Sequence, residues 1–287
     1  MTGASSYKQV AHPGRKSALA LRALVYFAAL LTVAVLLFLI AYILIKGAPY
    51  LTPELFAWKY TPENVSMTPA IINTVLMTAL SLLIAAPIGI FSAVYLAEYA
   101  KRGSRFVSVV RVTAETLAGI PSIVYGLFGL LFFVTQLQWG LSLLAGAFTL
   151  SVMILPLILR TTEEALKSVP DMYREGSFGL GAGRLRTVFS IVLPAAIPGI
   201  LAGVILGIGR IVGETAALIY TAGTVAKVPE NVFSSTRTLS VHMYSLSREG
   251  LYINQTYATA VVLLLVVVGI NALSSFVARR LVKRLGG

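Results

Sequence analysis

An all-α integral membrane protein with six transmembrane helices is the fold class that this sequence predicts, on three observations. Hydrophobic residues make up 57% of the chain and charged residues 12%, with a mean hydropathy of +0.85; a soluble domain carries about a quarter charged residues. Six apolar segments reach the ~20 residues that a helix needs to cross a hydrocarbon core: 23–45, 71–96, 116–135, 140–159, 195–220 and 257–278. Lys and Arg are also unevenly spread, with 17 of 23 in the termini and the second and fourth loops: four before the first span, four in 101–111, five in 160–186 and four in 279–284. Short loops rich in these residues stay cytoplasmic, so both termini are expected there.

Residues 1–20 have no apolar period and read as a mobile tail, followed by one transmembrane domain over 21–287. The first span is too long for the core of a cleavable signal and should remain as an anchor. In the loop after it, Thr52-Pro53-Glu54 is a helix-start pattern, and Trp58 and Tyr60 have the amphipathic rings found at membrane interfaces. Trp139 sits in a short hairpin that makes the third and fourth spans antiparallel neighbours. Pro121 and Ser122 predict a local break in the third span, with Ser122 as a partner for the freed backbone, whereas Pro87 and Pro156 read as architectural. After the fifth span, residues 236–250 read as a short helix ending at Gly250. His242 lies there without a second His or Cys, so no metal site is expected.

The fifth span holds the strongest functional signal. Arg210 and Glu214 stand in an apolar segment four residues apart, a spacing that places them on one helical face as an ion pair. Charge at bilayer depth costs at least ~2.5 kcal/mol and marks substrate paths and relays. The planar guanidinium fork suits oxyanion oxygens, and Glu214 would hold it when the path is empty. A purely structural ion pair is the alternative. Gly199, Gly203 and Gly207 recur every four residues ahead of the pair, a ridge for close approach by another helix.

The loop 160–194 is longer than a connector. Ser168-Val169-Pro170-Asp171 is a helix start, Gly179, Gly181 and Gly183 interrupt that helix, and Leu185, Val188, Phe189 and Val192 then form an amphipathic stretch suited to a partner or the membrane surface. Within the loop, Glu175-Gly176-Ser177, Gly181 and Ile191-Val192-Leu193-Pro194 resemble the EAA loop of bacterial ABC importer permeases, with Gly176 and Ser177 in place of two alanines. Ala97-Glu98-Tyr99-Ala100, the run from Gly119 through Pro121, Ser122 and Tyr125 to Gly126, and the run from Gly209 through Arg210, Glu214 and Thr215 to Ala216 are similar to phosphate-specific (Pst) permeases, the A-type subunit more than the C-type.

That resemblance implies an ABC importer permease (MetI-like) fold in the bacterial plasma (inner) membrane. It further implies partnership with a homologous C-type permease, two ATPase subunits and an external phosphate-binding protein. Glu175, Gly176, Ser177, Gly181, Leu193 and Pro194 would couple to the ATPase; Arg210, Glu214, Thr215, Ser122, Pro121 and Tyr125 would line the substrate path. No phosphate-cradling Gly-x4-Gly-Lys-Ser/Thr loop occurs, so the chain binds no cofactor and ATP is used by the partner. Membrane lipid accounts for the basic loops and the +12 net charge without nucleic acid. An intramembrane enzyme lacks its usual constellation here: no Asp pair, Ser/His dyad or His-Glu-x-x-His site stands in the spans. Sulfate or molybdate remains the alternative cargo, because charge does not distinguish tetrahedral oxyanions.

Overall fold

The computed structural model describes residues 15–101 and 103–285, and every regular element among them is helical. The helices are α1 (Arg15–Gly47), α2 (Thr68–Val94), α3 (Arg105–Ala118), α4 (Ser122–Gly129), α5 (Leu143–Lys167), α6 (Asp171–Gly179), α7 (Arg184–Thr187), α8 (Leu193–Val212), α9 (Ala216–Thr221), α10 (Leu239–Glu249) and α11 (Ile253–Leu285). Residues 1–14 of the expected tail lie outside the described residues, and 15–20 already belong to α1. The Thr52-Pro53-Glu54 start yields a single 3-10 turn, Pro53–Phe56. Pro87 and Pro156 lie inside α2 and α5 without ending them.

Five helical stretches are long and apolar enough to cross a membrane, and a bent pair makes a sixth. The third span is broken where Pro121 and Ser122 predict it: α3 and the stretch Ser122–Gln136 meet at 102°. Pro121 has no N–H to continue the ladder and fixes the turn, with φ −59° and ψ 142°. The fifth span departs twice from the expected one. It begins earlier, since α7, a π turn and α8 run without interruption from Arg184 to Val212. The amphipathic stretch is therefore the near end of that span rather than a separate surface helix. Val188 and Val192 are buried against α5 and the end of α2, while Leu185 and Phe189 stay exposed. The span also ends earlier, with Gly213–Thr215 separating α8 from α9.

Helix α5 is the centre of the bundle, with two thirds of its apolar window buried. Gly89 brings α2 against Ile158 of α5, where an added Cβ would lie 2.8 Å from Ile158 Cγ2. The glycine ridge of α8 packs on the other side. A Cβ at Gly199 would meet Ala165 Cβ at 2.6 Å, and one at Gly203 would collide with the Thr161 side chain; at Gly207 the nearest neighbour, Ile158, is 4.0 Å away. By contrast α1 packs along α11 and has an exposed window throughout.

Between α9 and α11 the chain folds back over the end of the bundle. Asn73 of α2 donates from Nδ2 to the Lys227 and Arg237 carbonyls at 2.9 and 3.1 Å, and Thr74 Oγ1 accepts from Leu239 N at 2.9 Å. Helix α10 ends at Gly250 in the left-handed region, φ 71°. His242 is fully buried beside Tyr60, and the Arg237 guanidinium lies 4.6 Å from the same ring. Burial, reinforced by Arg237, lowers the His242 pKa to about 3.

Two predictions follow from this packing. Gly203→Val should cost about 2 kcal/mol through overpacking against Thr161, whereas Gly207→Ala should be tolerated; thermal unfolding of the purified complex in detergent reads both. His242 is neutral when folded and takes up a proton when unfolded below its ordinary pKa of ~6.5. Its contribution is thus full above that value and falls by about 1.4 kcal/mol per pH unit toward pH 3. His242→Gln should flatten that acid slope in a series of melting temperatures against pH.

Candidate functional site

Two broken spans meet in the middle of the bundle. Helices α4 and α9, which follow the two breaks, approach backbone to backbone: a Cβ at Gly126 would lie 2.8 Å from Ala217 Cα and 3.3 Å from the Ala216 carbonyl oxygen. Tyr125, Ile211, Ala217 and Leu218 share one buried cluster, with Ile120 of the first break packed against it. Glycine at 126 is therefore a steric requirement of this crossing.

Each break is closed by a side chain. Tyr125 is buried, and its hydroxyl donates to the Leu117 carbonyl at 2.7 Å, across the turn that Pro121 creates. Ser122, expected to fill this role, makes no such bond among the described residues. In the second break, Glu214 Oε1 accepts from Ala217 N at 3.1 Å, and the Glu214 carbonyl receives the Ser240 hydroxyl at 2.6 Å. Thr215 Oγ1 reaches back to the Gly213 carbonyl at 3.4 Å.

The expected Arg210–Glu214 ion pair is absent. The i,i+4 argument assumed an unbroken helix, but α8 ends at Val212 and Glu214 turns into the break to cap α9. Arg210 is half-buried in the last turn of α8, where the negative end of the helix dipole favours a cation. It makes no ion pair or hydrogen bond among the described residues. Asn271 of α11, which the sequence reading passed over, stands beside Gly209 at 3.9 Å from where a Cβ would lie and has an unpartnered Oδ1. A lone Asn in an apolar span was the available signal.

At the α6 end, the loop residues form a hairpin. Glu175 and Gly176 are exposed on α6, while Ser177 is buried with its hydroxyl 2.8 Å from Thr187 Oγ1. The serine at an EAA alanine position thus ties α6 to α7. Gly181 adopts φ +82° with open space around it, so its constraint is backbone conformation rather than a neighbour. Leu193 and Pro194 lie in the continuous fifth span, half-buried. A cleft of about 830 Å³ beside the hairpin is lined by residues including Glu98, Arg111, Lys167, Arg174 and Arg184.

Residues 85–287 match the family described as binding-protein-dependent transport system inner membrane component. The chain belongs to that family. It is 35% identical over 233 residues to a probable ABC transporter permease protein, YqgI, of Bacillus subtilis, covering 76% of this chain and 79% of that one. It is 44% identical over 180 residues to the phosphate transport system permease protein PstA of Pasteurella multocida, covering 62% and 63%. Its fold is similar to that of a chain in the crystal structure of a bacterial alginate ABC transporter in complex with alginate pentasaccharide-bound periplasmic protein: TM-score 0.68 at 17% identity, over 91% of this chain and 96% of that one. The expected permease fold is therefore the observed one.

In this permease Arg210 and Glu214 form no direct ion pair, and the Glu214 carboxylate acts on the backbone instead. Glu214→Gln, which keeps an acceptor for Ala217 N, should stay within about 0.5 kcal/mol of the parent, while Glu214→Ala should lose about 1 kcal/mol of capping. A double-mutant cycle of Arg210→Gln with Glu214→Gln, read by unfolding of the purified complex, should show a coupling energy well below the ~3 kcal/mol or more lost when a direct buried ion pair is broken.

Proposed function

We propose that this chain is the A-type permease of an ATP-driven phosphate importer and supplies half of the translocation path. The observation that carries this reading is the unpaired Arg210 guanidinium, held half-buried at the junction of two broken spans. An arginine stays charged at any physiological pH and offers two parallel donors to a tetrahedral oxyanion. Similarity to PstA supports phosphate as that anion. Tyr125, Thr215, Ser122 and Pro121 shape the same junction. Glu214 sets where the second break falls, and Arg210 is left available to the anion.

The remaining parts fit a transport subunit that uses another chain's ATP. Helix α6 and the turn after it present Met172, Tyr173 and Leu180 to solvent, with Leu180 at 91% exposure. Exposed apolar residues on a polar loop are suited to a protein cleft, and we assign this face to an ATPase subunit. The other partners are a homologous C-type permease, a second ATPase subunit and an external phosphate-binding protein. The basic loop distribution supports a cytoplasmic position for α6 and both termini.

The test is ATP-driven uptake of labelled phosphate in vesicles holding the complete complex, with sulfate and molybdate as competitors in large excess. Phosphate uptake should persist, and competition by either anion would transfer the reading to another oxyanion permease. Arg210→Lys keeps charge but loses the fork and should lower uptake roughly tenfold or more, a loss of ~1.4 kcal/mol. Wild-type uptake by Arg210→Ala would overturn the assignment of Arg210.

A further inference from the structure

One guanidinium joins α6 to the ends of two transmembrane spans. Arg174 Nη2 lies 2.6 Å from Glu98 Oε1, and Nε lies 3.3 Å from Oε2, a two-pronged contact with the π turn Tyr95–Tyr99 that ends the second span. The same group donates to the Leu166 carbonyl at 2.9 Å and the Val169 carbonyl at 2.7 Å, where α5 ends. Asp171, at 3.1 Å, completes the set from within α6. The pair is largely removed from solvent, with side-chain exposures of 16% for Arg174 and 8% for Glu98. A second cation follows the same route, since Arg184 at the start of α7 lies 5.3 Å from the Tyr99 ring. The buried Ser177–Thr187 bond makes α6 and α7 one body.

We propose that Arg174 is a positioning residue that delivers any displacement of the α6–α7 hairpin to the ends of α2 and α5, with Glu98 as its receiver. The chain connections alone leave the rotation of α6 about its own axis unset: Gly181 and Gly183 lie in the turn between α6 and α7, and the Ser168–Pro170 link fixes only where α6 starts. A planar fork satisfying four acceptors leaves one orientation of α6 relative to both spans. The outward face of α6 remains free for a partner while its inward face is fixed. The proposal rests on the reading of α6 as the ATPase contact.

The experiment uses the complete complex and reads two quantities: amide hydrogen exchange over 171–179, and phosphate moved per ATP hydrolysed. Arg174→Ala should raise exchange in α6 about tenfold while α5 interior amides are unchanged, because the opening is local. The transport ratio should fall at least threefold, within the range that loss of one charge-assisted contact gives. Glu98→Gln should show the same pattern more weakly, since the Leu166 and Val169 contacts survive. If Arg174→Ala lowers complex yield, Arg174→Lys carries the test, because an ammonium cannot reach all four acceptors. Unchanged exchange overturns the proposal, and raised exchange with a wild-type transport ratio overturns the delivery role. A wild-type complex that hydrolyses ATP without moving phosphate would sink the phosphate reading alone, with the tether then judged on the exchange.

Discussion

Hydrocarbon offers no partner to a backbone N–H or C=O, and each such group left open costs several kcal/mol. Two of the six spans here are nevertheless interrupted, and much of the bundle's design answers the groups that those interruptions release. Tyr125 returns across the first break to the Leu117 carbonyl, and Glu214 turns into the second to meet Ala217 N. Ser240 then reaches from α10 to the Glu214 carbonyl, so the fold-back segment also helps close the break. Gly126 and Gly129 allow the two repaired regions to lie together: at both, a methyl group would run into α9, and at Gly129 also into Thr149 of α5.

The same constraint explains why Arg210 is unpaired. In an unbroken helix its fork would face Glu214, and the two charges would cancel. Ending α8 at Val212 redirects the carboxylate to a backbone donor and leaves the guanidinium supported by the helix terminus. An arginine compensated by a dipole rather than a carboxylate keeps its donors free of an ion pair. A binding role for an anion then requires no ion pair to be broken first.

Composition and period made the bundle readable: six apolar runs, the ridge at Gly199, Gly203 and Gly207, the break at Pro121 and the cap at Gly250 all rest on local rules that the environment did not override. The glycines of 179–183 likewise marked the hairpin turn. What stayed hidden depends on distant contacts. No local rule places Tyr125 eight residues back on Leu117, or pairs Glu98 with Arg174 across 76 positions. The Arg210–Glu214 pairing failed for a related reason: Gly213 and Thr215 are weak helix formers, but the decisive event is a hydrogen bond to Ala217 that an unbroken 3.6-residue period does not contain.

The ridge between α5 and α8 connects the two ends of the molecule. Contact is tightest at Gly199 and Gly203, nearest the hairpin, and relaxes to 4.0 Å at Gly207, one turn before Arg210. The glycines thus hold α8 against α5 most closely at Ala165 and Thr161. Arg174 grips the end of α5 just beyond that contact, at the Leu166 and Val169 carbonyls. Packed interfaces with few voids resist independent shifts of their parts, so the glycine contact keeps α5 and α8 together at the end of the bundle that Arg174 also ties to α2.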